Sequence, residues 1–367
     1  MKQTINDKFI TELEEMFKNH GYPKFRAKQV YRQIHVNKVN DFGQMTDLSK
    51  DMRESLSEKY TFSILNLVKE FISQVDATKK YLFELEDGNI IEAVFMDYDS
   101  RKTICISSQV GCRMGCKFCA STKNGLVRNM TASELIEEVY ELERINGEIN
   151  NIVIMGIGEP LDNYDNIKKF IEVITDANGR NLSHRSITLS TSGLGPMIRM
   201  LADSGLDINL ALSLHYADDT KRKKFMPVAN KYPIADLMKA TDYYLEKTKR
   251  RVSFEYVVID GVNNLDEDVR NLVRLLRGKN VHINLIPLNP IEEFAYDKPQ
   301  NTALKDFRDK LIKNKLNATI RRSMGSDIDA SCGQLRNNYA RWAWNLARYQ
   351  ILVNVGKKMK MPTPIFL

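Results

Sequence analysis

The sequence predicts an α/β protein: a TIM-type core, a full or partial β/α barrel, carrying a small N-terminal helical domain and a linking β-hairpin. Three observations predict it. From about residue 102, short apolar strands alternate with amphipathic helical segments. Polar residues recur where those strands end, and a hairpin signal, Asp87-Gly88, precedes the first of them.

Residues 8–60 read as helical. Phe9, Leu13, Met16 and Phe17 share one face, Val30, Tyr31 and Ile34 another, and Leu48, Met52 and Leu56 recur every four residues; Gly21-Tyr22-Pro23 breaks the first helix from the second. Residues 80–86 and 90–96 are strand-like runs on either side of Asp87-Gly88. Further strands are expected at 103–107, 151–156, 186–190, 207–214, 252–259 and 281–286, with helices at 132–144, 163–177, 234–247 and 265–278 between them. Such apolar strands fit a parallel sheet covered by helices, which periodicity alone allows to be a barrel or an open doubly wound sheet. A strand at 318–322 leads into a loop holding Cys332. The chain thus divides into a helical domain (1–75), a hairpin (76–100), the core (101–325), the Cys332 loop (326–338) and a basic, partly apolar tail (339–367) that includes Trp342 and Trp344.

With 43% hydrophobic residues the 367-residue chain can bury a sizeable core. The stretch 1–9 is polar, no apolar run reaches 18 residues, and the chain reads as soluble and cytosolic, with no membrane partner. Fifty-four Lys and Arg against 47 Asp and Glu leave a net charge of +7. The excess is concentrated. Lys18, Lys24, Arg26, Lys28, Arg32 and Lys38 run without an acid and interleave with Tyr22, Phe25 and Tyr31; Arg336, Arg341, Arg348, Lys357, Lys358 and Lys360 form a second acid-free stretch. A basic helix face is often simply solvated, but cations beside aromatics also suit phosphates and stacked bases.

Five cysteines are too few and too clustered for a secreted disulfide framework, which favours metal binding or catalysis. Three of them, Cys112, Cys116 and Cys119, lie in the loop GCRMGCKFC directly after the first core strand. Thiolates at spacings of four and three on a Gly-containing loop can converge on a cubane cluster. Three rather than four leave one iron of a [4Fe-4S] cluster without a protein ligand. Structural zinc prefers CxxC pairs and four ligands, and no second pair is present. His20, His35, His184 and His282 show no ligand spacing. A barrel builds its site from the loops at strand C-termini, and the polar residues are there: Gly156-Ile-Gly-Glu159-Pro160, Ser190-Thr-Ser-Gly193, Ser213-Leu-His215 and Asn289-Pro290. Glycine turns and Ser or Asn caps commonly follow strands; four such sets at equivalent positions favour a site.

CxxxCxxC with the aromatic Phe118 before its last cysteine resembles the signature of radical S-adenosylmethionine enzymes, whose fold is a full or partial TIM barrel. The resemblance implies that the methionyl group of S-adenosylmethionine chelates the open iron and that the reduced cluster cleaves the sulfonium to a 5'-deoxyadenosyl radical. More particularly, the chain to about residue 338 resembles the bacterial RNA methyltransferases that act on C2 of an adenine in 23S rRNA and tRNA. The matching stretches are residues 105–112 (CISSQVGC), 112–122 (CRMGCKFCAST), 155–163 (MGIGEPLDN), 188–193, 213–215, 285–290 and 327–335 (DIDASCGQL). The sister activity, C8 methylation of the same rRNA adenine, uses the same cysteines, but SSQVGC and CRMGCKFCAST look more like the C2 group.

By that resemblance Gly158 and Glu159 hold the methionyl end of S-adenosylmethionine, and Ser190, Ser213, Leu214, His215 and Asn289 line its remaining contacts. It also implies two S-adenosylmethionine molecules per turnover, one methylating Cys332 and one supplying the radical that activates the S-methyl group. Cys105 matches the cysteine that deprotonates or resolves the protein-RNA adduct through a disulfide with Cys332, and Glu92 falls at the proton-acceptor position. Adenine C2 is electron-poor, so direct polar methyl transfer to it would fail. The implied partners are 23S rRNA, tRNA with position 37 as target, and an electron donor such as flavodoxin or ferredoxin; the implied state is a cytoplasmic monomer whose N-terminal domain binds RNA.

Overall fold

Strand order decides between the two architectures that the periodicity allows. The computed structural model describes residues 2–98 and 100–336; the tail at 339–367 and the last two residues of the 326–338 loop lie outside the described residues. Seven strands, β6 (Arg101–Ile106), β9 (Asn151–Ile154), β10 (Ile187–Thr191), β11 (Asn209–Ser213), β12 (Val252–Val258), β13 (Val281–Pro287) and β14 (Ala318–Ile320), pair in parallel in sequential order. A doubly wound sheet would reverse its order part-way. This one does not, and its two edges, β14 and the strand at Asn66–Ile72, do not pair, so the core is a partial barrel. Helices α4 (Ala132–Asn146), α5 (Tyr164–Thr175), α8 (Ile234–Thr248) and α9 (Asp266–Leu276) stand close to their expected spans. Helices α6 (Gly195–Asp203), α7 (Asp219–Phe225) and α10 (Asn301–Lys313) were not expected: α6 opens on Gly-Pro, and α7 spans only seven residues, four of them Lys or Arg.

The hairpin is not a separate bridge. β5 (Ile90–Tyr98) pairs antiparallel with β6 and β4 (Lys79–Glu84) antiparallel with β5, continuing the barrel sheet, and a further strand, β3 (Asn66–Ile72), adds to β4. β3 escapes sequence detection because Leu67, Val68 and Ile72 are exposed, so it lacks the inward-outward alternation that marks a strand. The turn runs from Leu85 to Asn89, longer than a two-residue hairpin, with Gly88 at φ +78.

In the N-terminal domain α1 (Ile10–Lys18), α2 (Phe25–His35) and α3 (Lys50–Lys59) bury Leu13, Phe17, Val30, Tyr31, Ile34, Met52 and Leu56, the faces the sequence marks. Short parallel strands β1 (Gln3–Thr4) and β2 (Tyr60–Thr61) close it, and β7 (Gln109–Gly111) pairs with β8 (Leu126–Asn129) around the cysteine loop. Lys18, Lys24, Lys28 and Arg32 are exposed on the basic face. The domain is fixed to the barrel by buried polar contacts. Asn6 and Ser63 bond Ser133 at the start of α4, Lys38 pairs with Glu143 at 2.9 Å, and Nδ1 of His35 bonds the Tyr140 hydroxyl at 2.9 Å.

Burial pushes the fully buried His35 down to about 3, against a weaker opposing pull from Asp176. The folded protein therefore keeps this ring neutral, while the unfolded chain takes up a proton below the ordinary value of 6.5. Its contribution is fully present above that value and is lost as pH falls towards 3. Melting temperature is accordingly expected to fall between about pH 7 and pH 5, and His35→Gln, which cannot titrate, is expected to flatten that slope in parallel calorimetric scans.

Candidate active site

The cysteine loop is shaped by backbone close approaches. A Cβ on Gly111, at φ +79, would sit 2.0 Å from the Gly125 carbonyl oxygen, and Cys112 N–H donates to that same carbonyl at 2.9 Å. Thr122 folds its hydroxyl back onto the carbonyls of Cys116 and Cys119, and Lys117 N–H donates to the Phe225 carbonyl. Phe118 stands edge-on to His215 with ring centroids 4.9 Å apart. Burial pushes the Cys112 thiol up to about 12, and that of Cys116 well above its usual value. Metal ligation deprotonates such thiols outright and removes that cost. Among the described residues no group of three or more His, Cys, Asp or Glu converges as a single-ion site requires. Three thiols on one cavity suit a cubane bound at three of its irons, whereas structural zinc takes four protein ligands.

The three cysteines open onto a cavity of about 960 Å³ at the C-terminal ends of the strands, lined also by Gly158, Glu159, Ser190, Ser213, His215, Asn289 and Cys332. Of the residues expected to contact S-adenosylmethionine, Leu214 alone does not line it. Its side chain lies in the apolar core that includes Leu237 and Ala240 of α8, because the alternation that points Ser213 into the cavity turns the next residue away from it. Glu159 is almost fully buried. Its carboxylate accepts from Ser192 N–H at 2.7 Å and Leu161 N–H at 3.1 Å, while its own N–H donates to Oε1 of Gln109. Burial raises its carboxyl above the usual range. His215 accepts the Val257 N–H on Nδ1 at 3.0 Å, leaving Nε2 to carry the ring proton, and burial followed by nearby Arg222 lowers it to about 3.

Cys105 lines an adjoining cavity of about 660 Å³ that shares Cys119, Met155, Asn289, Arg321 and Cys332 with the first. Cys332 is thus common to both. All five cysteines are free, so the disulfide that the resemblance implies between Cys105 and Cys332 is not formed. The Cys332 loop is tied to the cluster loop and to β13's end: Ala120 N–H donates to the Gly333 carbonyl at 2.7 Å, Ser121 to the Leu335 carbonyl at 2.8 Å, and Asn289 Nδ2 to the Cys332 carbonyl at 3.0 Å. Glu92 is 1% exposed rather than the solvated strand carboxylate its position suggests. Burial pushes it up to about 7, against the pull of Lys80 at 3.6 Å. It does not line either cavity.

Sequence reasoning missed Arg222 and Arg321. Arg222, fully buried, donates to the carbonyls of Ser192 at 2.7 Å, Tyr232 at 3.2 Å and Leu214 at 3.3 Å. Arg321 is the sole Lys or Arg among the described residues of the first cavity, lies 3.6 Å from Glu255, and is held protonated chiefly by Cys332. Neither sits in a motif. For Arg321, an arginine at the C-terminal end of an expected strand was the available signal.

Residues 106–276 match the model described as Radical SAM superfamily, and residues 5–62 the model described as Ribosomal RNA large subunit methyltransferase N-terminal domain. The chain is 52% identical over 331 residues to the probable dual-specificity RNA methyltransferase RlmN of Lachnoclostridium phytofermentans, covering 90% of this chain and 93% of that one. The chain belongs to the radical SAM RNA methyltransferase family. A second relative of the same description, from Clostridioides difficile, is 48% identical over 89% of this chain and 96% of its own length. The crystal structure of a radical SAM methyltransferase from Sphaerobacter thermophilus superposes with a TM-score of 0.88 at 40% identity, covering 92% of this chain and all of that one. The family's [4Fe-4S] cluster and S-adenosylmethionine are therefore this protein's cofactors. Its described residues contain no helix long and apolar enough to cross a membrane.

Gly158, at φ +111, admits no side chain: a Cβ would lie 2.6 Å from the Ser108 hydroxyl and 2.8 Å from Gln109 N. Gly158→Ala is expected to displace the Glu159 loop and weaken S-adenosylmethionine binding about tenfold or more. Equilibrium binding measures this, with cluster content and melting temperature close to wild type as the control.

Proposed function

We propose that this family member methylates C2 of an adenine in 23S rRNA, at the peptidyl-transferase centre, and in tRNA, at position 37, by way of an S-methyl group on Cys332. The observation that carries the reading is the shared pair of cavities, in which Cys332 faces the three-cysteine loop on one side and Cys105 on the other. Cys112, Cys116 and Cys119 would hold the cluster, and Glu159, Ser190, Ser213, His215 and Asn289 the S-adenosylmethionine. When bound, the cluster supplies the electron that converts S-adenosylmethionine to a 5'-deoxyadenosyl radical.

The chain's own residues divide the remaining work. Cys332 takes a methyl group from one S-adenosylmethionine and offers that methyl for hydrogen abstraction by the radical from a second. Its methylene carbon then bonds to C2, overcoming the reluctance of an electron-poor carbon. Glu92 accepts the proton that C2 loses, for which a carboxyl raised to about 7 by burial is well matched. The adduct also gives up its unpaired electron, which would return to the cluster that supplied one. Cys105, as the thiolate, then attacks the Cys332 sulfur, the S–S bond forming as the S–CH2 bond breaks, and the released carbon takes up a proton to become the methyl group. A target adenine must leave its stack to reach the barrel mouth, and the exposed Lys18, Lys24, Lys28 and Arg32 give the RNA backbone a place to bind. The protein works as a cytoplasmic monomer with a flavodoxin or ferredoxin as electron donor.

Expression in cells lacking both modifications, followed by mass spectrometry of digested rRNA and tRNA, is expected to yield 2-methyladenosine in both. An 8-methyl product, or none, overturns the reading. Cys332→Ala is expected to abolish the product, and Cys105→Ala to accumulate RNA covalently attached to protein, visible as a nuclease-sensitive shift on denaturing gels.

A further inference from the structure

The Cys332 loop crosses the sheet face that carries Glu92, Val94 and Cys105. Met324, Ala330 and Leu335 pack against Val94, Met96 and Cys105. The loop is pinned to the β4–β5 side along its length. The Asp327 carboxylate accepts from the Ser73 hydroxyl at 2.7 Å and from Gln74 N–H at 2.8 Å, and Gly325 N–H donates to Asp76 at 3.0 Å. At the far end Arg336 N–H donates to Oε2 of Glu92 at 3.0 Å. Between these ends stands Lys80, 4% exposed, whose Nζ donates to the Asp329 carbonyl at 3.3 Å and lies 3.6 Å from Oε1 of Glu92.

The register explains the meeting. Leu82 opposes Glu92 and Lys80 opposes Val94, so Lys80 and Glu92 are diagonal neighbours on one face. Burying both charges is expensive, and hydrophobic replacements would often cost less. The charged groups facing Glu92 are Lys80 from β4 and the Asp329 carboxylate from the loop. The Arg336 guanidinium is engaged with Glu293 at 2.7 Å, leaving its backbone N–H to Glu92. Lys80 is thus the cation that opposes the effect of burial on Glu92, and it also grips the loop three residues before Cys332.

We propose that Lys80 is a positioning residue for methyl transfer: it favours the carboxylate form of Glu92 and, through the Asp329 carbonyl, sets where the loop presents Cys332. The proposal rests on Glu92 being the proton acceptor. Its test uses the full-length, cluster-loaded protein with Lys80→Met and Lys80→Arg. Single-turnover RNA methylation is followed against pH, and amide hydrogen exchange across residues 326–336 is followed by mass spectrometry.

Activity needs the Glu92 carboxylate, so its acid limb follows that group. Removing the countercharge is expected to move the limb up by about one pH unit or more in Lys80→Met, and Lys80→Arg to restore it. The loop amides are expected to exchange about tenfold faster in Lys80→Met, while reductive S-adenosylmethionine cleavage without RNA stays at the wild-type rate. Superimposable pH profiles for wild type and Lys80→Met overturn the proposal. So does an equal loss at every pH with Lys80→Arg no better than Lys80→Met, the mark of a merely structural role. Glu92→Gln separates the two readings. Full activity in that variant removes Glu92 as acceptor, whereas an inactive Glu92→Gln beside an unshifted Lys80→Met removes only the role of Lys80.

Discussion

A barrel that does not close must fix the shape of its mouth by other means, and here the means is Ser192. Its N–H is held by the Glu159 carboxylate and its carbonyl by the Arg222 guanidinium. Glu159 brings the end of β9 to this point, and Arg222 adds the end of β11 through the Leu214 carbonyl. Three neighbouring strand ends are thereby locked by two charged side chains, both almost wholly buried. A charged hydrogen bond in such surroundings is short and strong, and leaving either partner alone would be costly. The cavity proposed to receive S-adenosylmethionine is the space this clamp keeps open.

The Cys332 loop depends on the same principle from the other side. It has little regular structure of its own, a single 3₁₀ turn at Ser326–Ile328, and takes its position from hydrogen bonds to neighbours. Two run from the residues following Cys119, one from Asn289, three from the 73–76 connection between β3 and β4, and others from Lys80 on β4 and Glu92 on β5. Asn289 thus has two claims on it: the Cys332 carbonyl it holds here and the cofactor contact proposed for it. Because Ala120 directly follows Cys119, the segment proposed to hold the cluster and the segment proposed to carry the methyl group share a hydrogen-bonded seam.

Where chemistry demands a residue type at a fixed spacing, the sequence was informative. The three-cysteine loop, Gly158-Glu159 and the serines at the strand ends were legible because each is local, and the strand-helix rhythm placed them at one end of one sheet. Legibility failed where partners are distant in the chain. Arg222 lies on a short, lysine-rich helix that reads as solvated surface, and only the fold brings it beneath three loops. Lys80 and Glu92 look like exposed strand positions until the 326–336 loop covers them. Leu214 is a different case: its place in a motif says nothing about which way its side chain points, and the structure turns that side chain into the apolar core.

The N-terminal domain is joined to the barrel by polar contacts that exclude water, His35 to Tyr140 and Asn6 to Ser133 among them. Such a joint does not swing freely. With the RNA contact proposed for α2, the separation between its basic face and the chamber mouth would act as a caliper. An RNA engaging both must offer a phosphate path and an extrudable adenine at that one separation. Two RNAs unrelated in sequence would be equivalent to such an instrument whenever their folds presented the same span, and a perfect sequence match on the wrong fold would not be measured at all.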